Sequence, residues 1–183
     1  MTHRTFLAAR IRVLTGAALI GLLSACSTLD QGTAPALEKN ASWAVLPFEN
    51  HTETPMAGSR AESIATTLLH TRGIHSVKRY TGDAQQETLF DGRDTKRRED
   101  ALAWARSEGV RYALLGSVDE WRYKVGVDGE PAVGVALEIV DVEKGSTVWS
   151  GAGGQSGWSR EALSAVGQKL IRKLLGTGLA SAQ

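Results

Sequence analysis

The chain has 183 residues, 21 Lys and Arg against 20 Asp and Glu for a formal charge of +1, and one cysteine. The first 25 residues hold three Arg and no acid, so the remaining 158 carry 18 cations against 20 acids, a charge of −2. That balance leaves no basic stripe for nucleic acid, the lone cysteine excludes an intrachain disulfide, and the length suits one domain with one core.

Arg4, Arg10 and Arg12 precede an apolar run from Val13 to Leu23. A positive start, an apolar stretch of about 7–15 residues and small residues before a cut describe a secretory leader. The run is shorter than the roughly 20 residues a spanning helix needs. An ordinary leader with an incidental cysteine is the plainest account. The closing run Leu23-Ser24-Ala25-Cys26, however, resembles the lipobox of bacterial lipoproteins. There the cysteine thiol receives a diacylglycerol, the leader is cut away and the new amine is acylated. By the same resemblance Ser27, where an Asp would retain the protein at the inner membrane, implies the outer one.

Residues 1–25 are therefore expected to be a signal peptide and residues 26–41 the lipidated Cys26 with a tether. Residues 42–176 are expected to be one α/β domain, and 177–183 a tail. The tether expectation rests on Gly32, Pro35 and small polar residues without periodicity. Fifteen such residues reach at most about 50 Å.

Trp43 to Phe48 is an apolar run closed by turn formers, the pattern of a buried strand. After a loop at 50–53, Thr54 is placed to cap a helix with Pro55 at its first position. Ala57, Ala61, Ile64, Ala65, Leu68 and Leu69 form one helical stripe, stopped by Gly73. Val77 to Tyr80 reads as a short strand, and residues 81–94 give no clear pattern. A second helix is expected from about Thr95 to Glu108. Tyr112 to Val125 forms a long strand, and Asp128-Gly129 signals a hairpin into the alternating Val133, Val135, Leu137 and Ile139. Lys144-Gly145 turns the chain into Thr147 to Ser150. A last helix after Ser159 uses Leu163, Val166, Leu170 and Leu174, with Lys169, Arg172 and Lys173 toward its C-terminus, where the dipole favours cations. The order β-α-β-α-β-β-β-α predicts an α/β (α+β) domain, a mixed sheet of about five strands with helices packed on it. The meander strands exceed the usual five or six residues, so the hairpin is expected to overshoot the core and meet water or a neighbour.

Four runs resemble the PelC family of outer-membrane lipoproteins in Pel exopolysaccharide export. They are Trp43-Ala-Val-Leu-Pro-Phe-Glu-Asn-His-Thr, Arg60-Ala-Glu-Ser-Ile-Ala, Tyr112-Ala-Leu-Leu-Gly-Ser-Val-Asp-Glu-Trp-Arg-Tyr-Lys-Val and Gly157-Trp-Ser-Arg-Glu-Ala-Leu. The resemblance spans roughly Ser42 to Leu175. It implies a dodecameric ring on the periplasmic face of the outer membrane, around the mouth of an export porin with a PelB-like periplasmic scaffold. It also implies that the ring guides a cationic, partly deacetylated amino-sugar polymer in biofilm formation, without catalysis or cofactor. A wider likeness to curli-secretion lipoproteins and to activators of penicillin-binding proteins keeps an alternative open, a lipoprotein activator of a periplasmic cell-wall synthase.

Within that frame Asp119, Glu120 and Asp128 are candidates for an acidic lining, since one acid repeated around a ring focuses a field that attracts a polycation. For Glu120 the simpler account is a surface ion pair, worth about 0–1 kcal/mol. Trp121 and Tyr123 are either core or subunit interface, where aromatics are enriched. Trp158 is either a staple packing on Leu163 or a membrane-interface contact. The glycine run 151–157 lacks the spacing and the later acid of a dinucleotide site and reads as a mobile loop. His51, His70 and His75 have no metal-ligand spacing, and His51 reads as a turn-stabilising residue. No nucleophile elbow is present. A carboxylate-pair glycosidase remains a third reading on a small scaffold.

Overall fold

The computed structural model describes residues 27–33, 35–80, 82, 92–126 and 129–180, and for 92–94 the backbone alone. In chain order these residues form β1 (Ser27–Gln31), β2 (Trp43–Val45), β3 (Glu49–Asn50), α1 (Ala57–Thr71), β4 (Val77–Arg79), α2 (Gly92–Ser107), β5 (Tyr112–Tyr123), β6 (Pro131–Asp141), β7 (Ser146–Ser156) and α3 (Leu163–Gly178). One mixed sheet runs β1-β7-β6-β5-β2-β4, with β3 also on β5. This is the expected α/β domain, with seven strands in place of about five. The leader with Cys26, residues 83–91 and Asp128 lie outside the described residues.

The two additional strands have separate causes. β2 and β3 both lie parallel to β5, pairing Trp43 with Tyr112 and Glu49 with Ser117. The single strand expected over 43–48 is divided at Pro47, which has no N–H for the ladder. β1 corrects the tether. Ser27–Gln31 pairs antiparallel with β7, from Ser27 opposite Gln155 to Gln31 opposite Gly151. Further along, Gly32 donates to the Ser150 carbonyl at 2.9 Å, Leu37 is buried in the core, and the Trp43 indole donates to the Glu38 carbonyl at 3.0 Å. The segment 27–41 is thus largely laid onto the domain. The unpaired N–H and C=O groups along β7 supply the reason, since an open edge recruits a strand.

The sheet divides the core in two. On one face α1 and α3 pack side by side over Trp43, Leu114, Val118, Trp121, Val133 and Ile139. Small residues set how close α1 lies: a Cβ on Gly58 would stand 2.5 Å from the Phe48 carbonyl oxygen. On the other face α2 covers a smaller cluster of Ala44, Leu46, Ala113, Leu115, Val140 and Val142. Gly73 ends α1 at a φ of 86°, as expected of a C-terminal glycine.

Three local expectations change. α1 begins at Ala57 after Met56 in the left-handed region, with no side-chain cap; the Thr54 hydroxyl donates instead to the Trp121 carbonyl at 2.5 Å. α3 begins at Leu163, later than expected, with Ala162 and not Ser159 in the cap position. The glycines at 151, 153 and 154 belong to strand β7, not to a mobile loop. They are small because Trp149, Leu29 and Leu170 occupy the space a Cβ on Gly151 or Gly153 would need.

Candidate functional site

β5 carries the chemistry, and a bulge in it decides where the side chains go. Val118 pairs with Val135 and Glu120 with Gly134, so Asp119 is the extra residue. Strict alternation would put Asp119 on the face of Trp121. The bulge instead lets Val118 and Trp121, three apart, both enter the core and leaves Asp119 exposed.

Asp119 turns to β3. Its Oδ1 lies 2.9 Å from His51 Nδ1, and His51 Nε2 lies 3.3 Å from Glu49 Oε2. An imidazole between two carboxylates donates from both nitrogens only when protonated. Its pKa is accordingly raised above the ordinary 6.5, first by the Asp119 hydrogen bond, against burial and together with the charges of Asp119 and Glu49. Glu120 accepts from Arg122 Nε at 3.0 Å, so the same-face ion pair is formed. Thr52, Glu53 and Pro55 join Asp119, Glu120 and Arg122 around a concavity of about 700 Å³. Of the three acids read from the sequence, the structure thus places Asp119 and Glu120 at one open site.

The aromatic pair separates. Trp121 is buried within the single chain, and a Cβ on Gly167 of α3 would stand 2.5 Å from its ring. It is core and has no surface left for a subunit interface, which corrects that expectation for Trp121. Tyr123 is half exposed; its hydroxyl donates to the Glu161 carbonyl and accepts from the Leu163 N–H, each at 3.2 Å, and so caps α3. Trp158 is 66% exposed. Since α3 starts only at Leu163, a staple one residue before a Ser159 cap does not exist. The Trp158 N–H instead faces Glu161 Oε2 at 3.3 Å.

These residues share one end of the sheet. β5 finishes there at Tyr123 opposite Pro131, Gly157 donates to the Pro131 carbonyl at 2.8 Å, and Lys124 Nζ donates to Ser156 Oγ at 2.7 Å. Among the described residues the exposed large apolar side chains are Met56, Tyr123, Val125 and Trp158, all at or beside this end. Ser27 reaches it too, through its pairing with Gln155. Periodicity could not reveal the grouping, because it arises from where four separate segments terminate. Among the described residues, no three His, Cys, Asp or Glu side chains gather as a metal site, and no helix is long and apolar enough to cross a membrane.

No sequence-family profile matches the chain, and no curated protein does. Solved structures do. The PelC dodecamer of Paraburkholderia phytofirmans is 43% identical over 86% of this chain and 99% of that one, with a TM-score of 0.72. A second crystal form of that dodecamer, with one leucine replaced by methionine, is 44% identical over 82% and 97%, with a TM-score of 0.68. The lipoprotein GNA1162 of Neisseria meningitidis, 18% identical over 74% and 96% with a TM-score of 0.52, shares the fold alone. With more than two-fifths of its residues shared along nearly the whole length of the dodecamer subunit, the chain belongs to the PelC family.

Proposed function

We propose that this chain is a lipid-anchored, non-enzymatic ring subunit that guides a cationic amino-sugar polymer to an outer-membrane export porin. The observation that carries the reading is the likeness to the PelC dodecamer along nearly that subunit's whole length. In this reading residues 1–25 are a signal peptide, Cys26 is acylated, and Asp119, Glu120 and Asp128 are the acids offered to the polymer.

The strand register supports a definite attitude on the bilayer. Ser27 follows Cys26 and is already paired to Gln155, so acyl chains on Cys26 would leave the domain at the end that exposes Trp158, Tyr123 and Val125. An indole suits the headgroup region, and buried CH₂ groups at about 0.8 kcal/mol each make several acyl chains a lasting anchor. The domain then stands directly on the membrane, without a long leash.

Cell fractionation tests the anchor. Cys26→Ser should deplete the chain from the outer-membrane fraction, and unchanged outer-membrane association would refute acylation as the attachment. With the lipid removed in this way, Trp158→Ala should further lower binding to vesicles, and equal binding would assign Trp158 no membrane role. The ring and its cargo are tested by electron microscopy of the full chain in detergent and by retardation of a partly deacetylated amino-sugar polymer. Twelve-copy rings with salt-sensitive retardation are expected. Single copies, or retardation indifferent to salt, would remove the proposal.

A further inference from the structure

The segment that joins β7 to α3 is held in place along its whole backbone. Gly157 donates to the Pro131 carbonyl at 2.8 Å, and Glu161 donates to the Trp158 carbonyl at 2.9 Å. The second bond closes a four-residue turn over Trp158, Ser159, Arg160 and Glu161. The Glu161 carboxylate faces back to the Trp158 N–H at 3.3 Å and pairs with Lys169 of α3 at 2.5 Å. Its carbonyl accepts from the Tyr123 hydroxyl at 3.2 Å. A Cβ on Gly157 would stand 2.5 Å from Val166 and 2.6 Å from Glu161 Oε2, so the turn sits hard against α3.

Arg160 takes the third place in this turn with a φ of 68°. Glycine or asparagine ordinarily stands there, because a Cβ makes left-handed backbone costly. Strained residues persist where their neighbours over-determine them, and they gather at functional sites. A glycine would keep the turn and relieve the strain; what it lacks is the guanidinium. That group is exposed and, among the described residues, has neither an ion pair nor a hydrogen-bond partner. The cations nearby are engaged, Lys169 by Glu161 and Lys124 by Ser156 Oγ at 2.7 Å. Glu161, the acid of the turn, is occupied in holding it. One rigid turn therefore exposes an indole and, two residues on, a cation without a counter-ion. Ser27, which follows Cys26, pairs with Gln155 just before this turn.

We infer that Arg160 binds the phosphate of anionic phospholipid headgroups, so that the turn 158–161 selects a negatively charged bilayer for Trp158 to rest on. The inference rests on the membrane reading of Trp158 and deepens it by naming the lipid. A guanidinium offers a planar fork of donors that matches phosphate oxygens two at a time, and an indole suits the same headgroup depth. Charge complementarity selects the occupant. A zwitterionic surface presents phosphates already balanced by its own ammonium groups, whereas an anionic one leaves them short of a cation. One Arg near such a surface strengthens binding by about fivefold.

The test titrates the full chain carrying Cys26→Ser with vesicles of phosphatidylcholine, alone or mixed with phosphatidylglycerol. This parent chain should prefer the mixed vesicles. Adding Arg160→Gln should weaken binding to them about fivefold and leave binding to phosphatidylcholine unchanged, while Trp158→Ala should weaken both. Arg160→Gly should lose the same affinity without lowering the urea midpoint, because glycine is at ease at a positive φ; a merely structural residue would move the two together. Lys144→Gln removes an equal charge at the opposite end of β6, in the turn between Asp141 and Ser146, and should bind like the parent. An equal loss from Lys144→Gln would make the effect one of net charge and overturn the inference. Arg160→Gln binding mixed vesicles as tightly as the parent would also overturn it. A parent that binds both vesicles alike, with loss in Trp158→Ala, would overturn the headgroup preference and leave the membrane reading intact. A parent that binds neither would overturn the membrane reading of Trp158 itself, and this inference with it.

Discussion

His51 has a carboxylate at each ring nitrogen, Asp119 from the β5 bulge and Glu49 from β3. Its proton affinity in the folded chain exceeds the ordinary value, so folding is favoured by the protonated form. That contribution is complete below about pH 6.5, the unfolded value, and fades as pH rises through the higher native one. All three side chains are partly exposed, which keeps the effect within about 1 kcal/mol. Thermal unfolding of wild type and His51→Gln between about pH 5.5 and 8.5 should show a gap that is widest in acid and closes with rising pH. A gap of constant size would mean that the ring does not titrate in this pair. The same deprotonation leaves the site one charge more negative, so attraction for a cation strengthens in the direction in which the clamp loosens.

Two glycines of α3 should respond in opposite directions to an added methyl group. In a helix interior Ala exceeds Gly by about 1 kcal/mol, and at Gly176 a Cβ would meet only the end of the flexible Arg72 side chain, at 3.4 Å. Gly176→Ala should therefore stabilise by about 0.5–1 kcal/mol. At Gly167 the Trp121 ring occupies that space, and overpacking of about 1–3 kcal/mol reverses the sign. Urea midpoints of the two variants decide the matter; shifts in one direction would contradict the packing described. Trp121 also shows where reading by residue type stops. Its apolar character was plain, but the face it occupies follows from a bulge at Asp119 that no glycine or proline announces. Trp158 was legible as a choice between two roles, and only the late start of α3 decides against the staple.

Among elements, the long meander strands and the helix stripes were legible because their periods run for ten residues or more. α1 buries Ala57, Ala61, Ala65, Leu68 and Leu69, and α3 buries Val166, Leu170 and Leu174, close to the expected stripes. β1 and the second half of β7 were not legible, for linked reasons. β1 is polar apart from Leu29 and forms only because β7 offers an open edge; β7 is glycine-rich there because Leu29, Leu170 and Trp149 take the room. Each segment looks like a loop until the other is present. Gly153→Val tests the coupling, since a Cβ there would stand 2.6 Å from Leu29 and 2.8 Å from the Thr28 carbonyl oxygen. Amide exchange over 27–31 should rise sharply while β5 and β6 stay protected. Protection of 27–31 as in wild type would show that β1 does not depend on the glycine. With Cys26 acylated as proposed, a displaced β1 would give the lipid slack that the register removes, so the same variant should loosen the orientation of the domain on the membrane.

At the scale of the whole molecule, charge is distributed so that no single copy holds much of it. Asp119 is partly neutralised by His51 and Glu120 by Arg122, and exposed charges farther apart than about 10 Å are screened at ordinary salt. One copy is therefore a weak ligand for a polycation, and only repetition brings enough acids within a Debye length of one polymer chain. Asp119→Asn with Glu120→Gln removes two negative charges from every copy and leaves both hydrophobic clusters of the core untouched. Rings of unchanged mass are expected, with retardation of a partly deacetylated amino-sugar polymer much reduced at low salt and equal to wild type at high salt, where screening already suppresses the attraction. If the double variant retards the polymer like wild type at every salt concentration, the acids at the β5 bulge do not face the polymer. Loss of the ring would instead place them in the contact between copies. Both measurements are made on one preparation, so assembly and attraction are read separately from the same substitution.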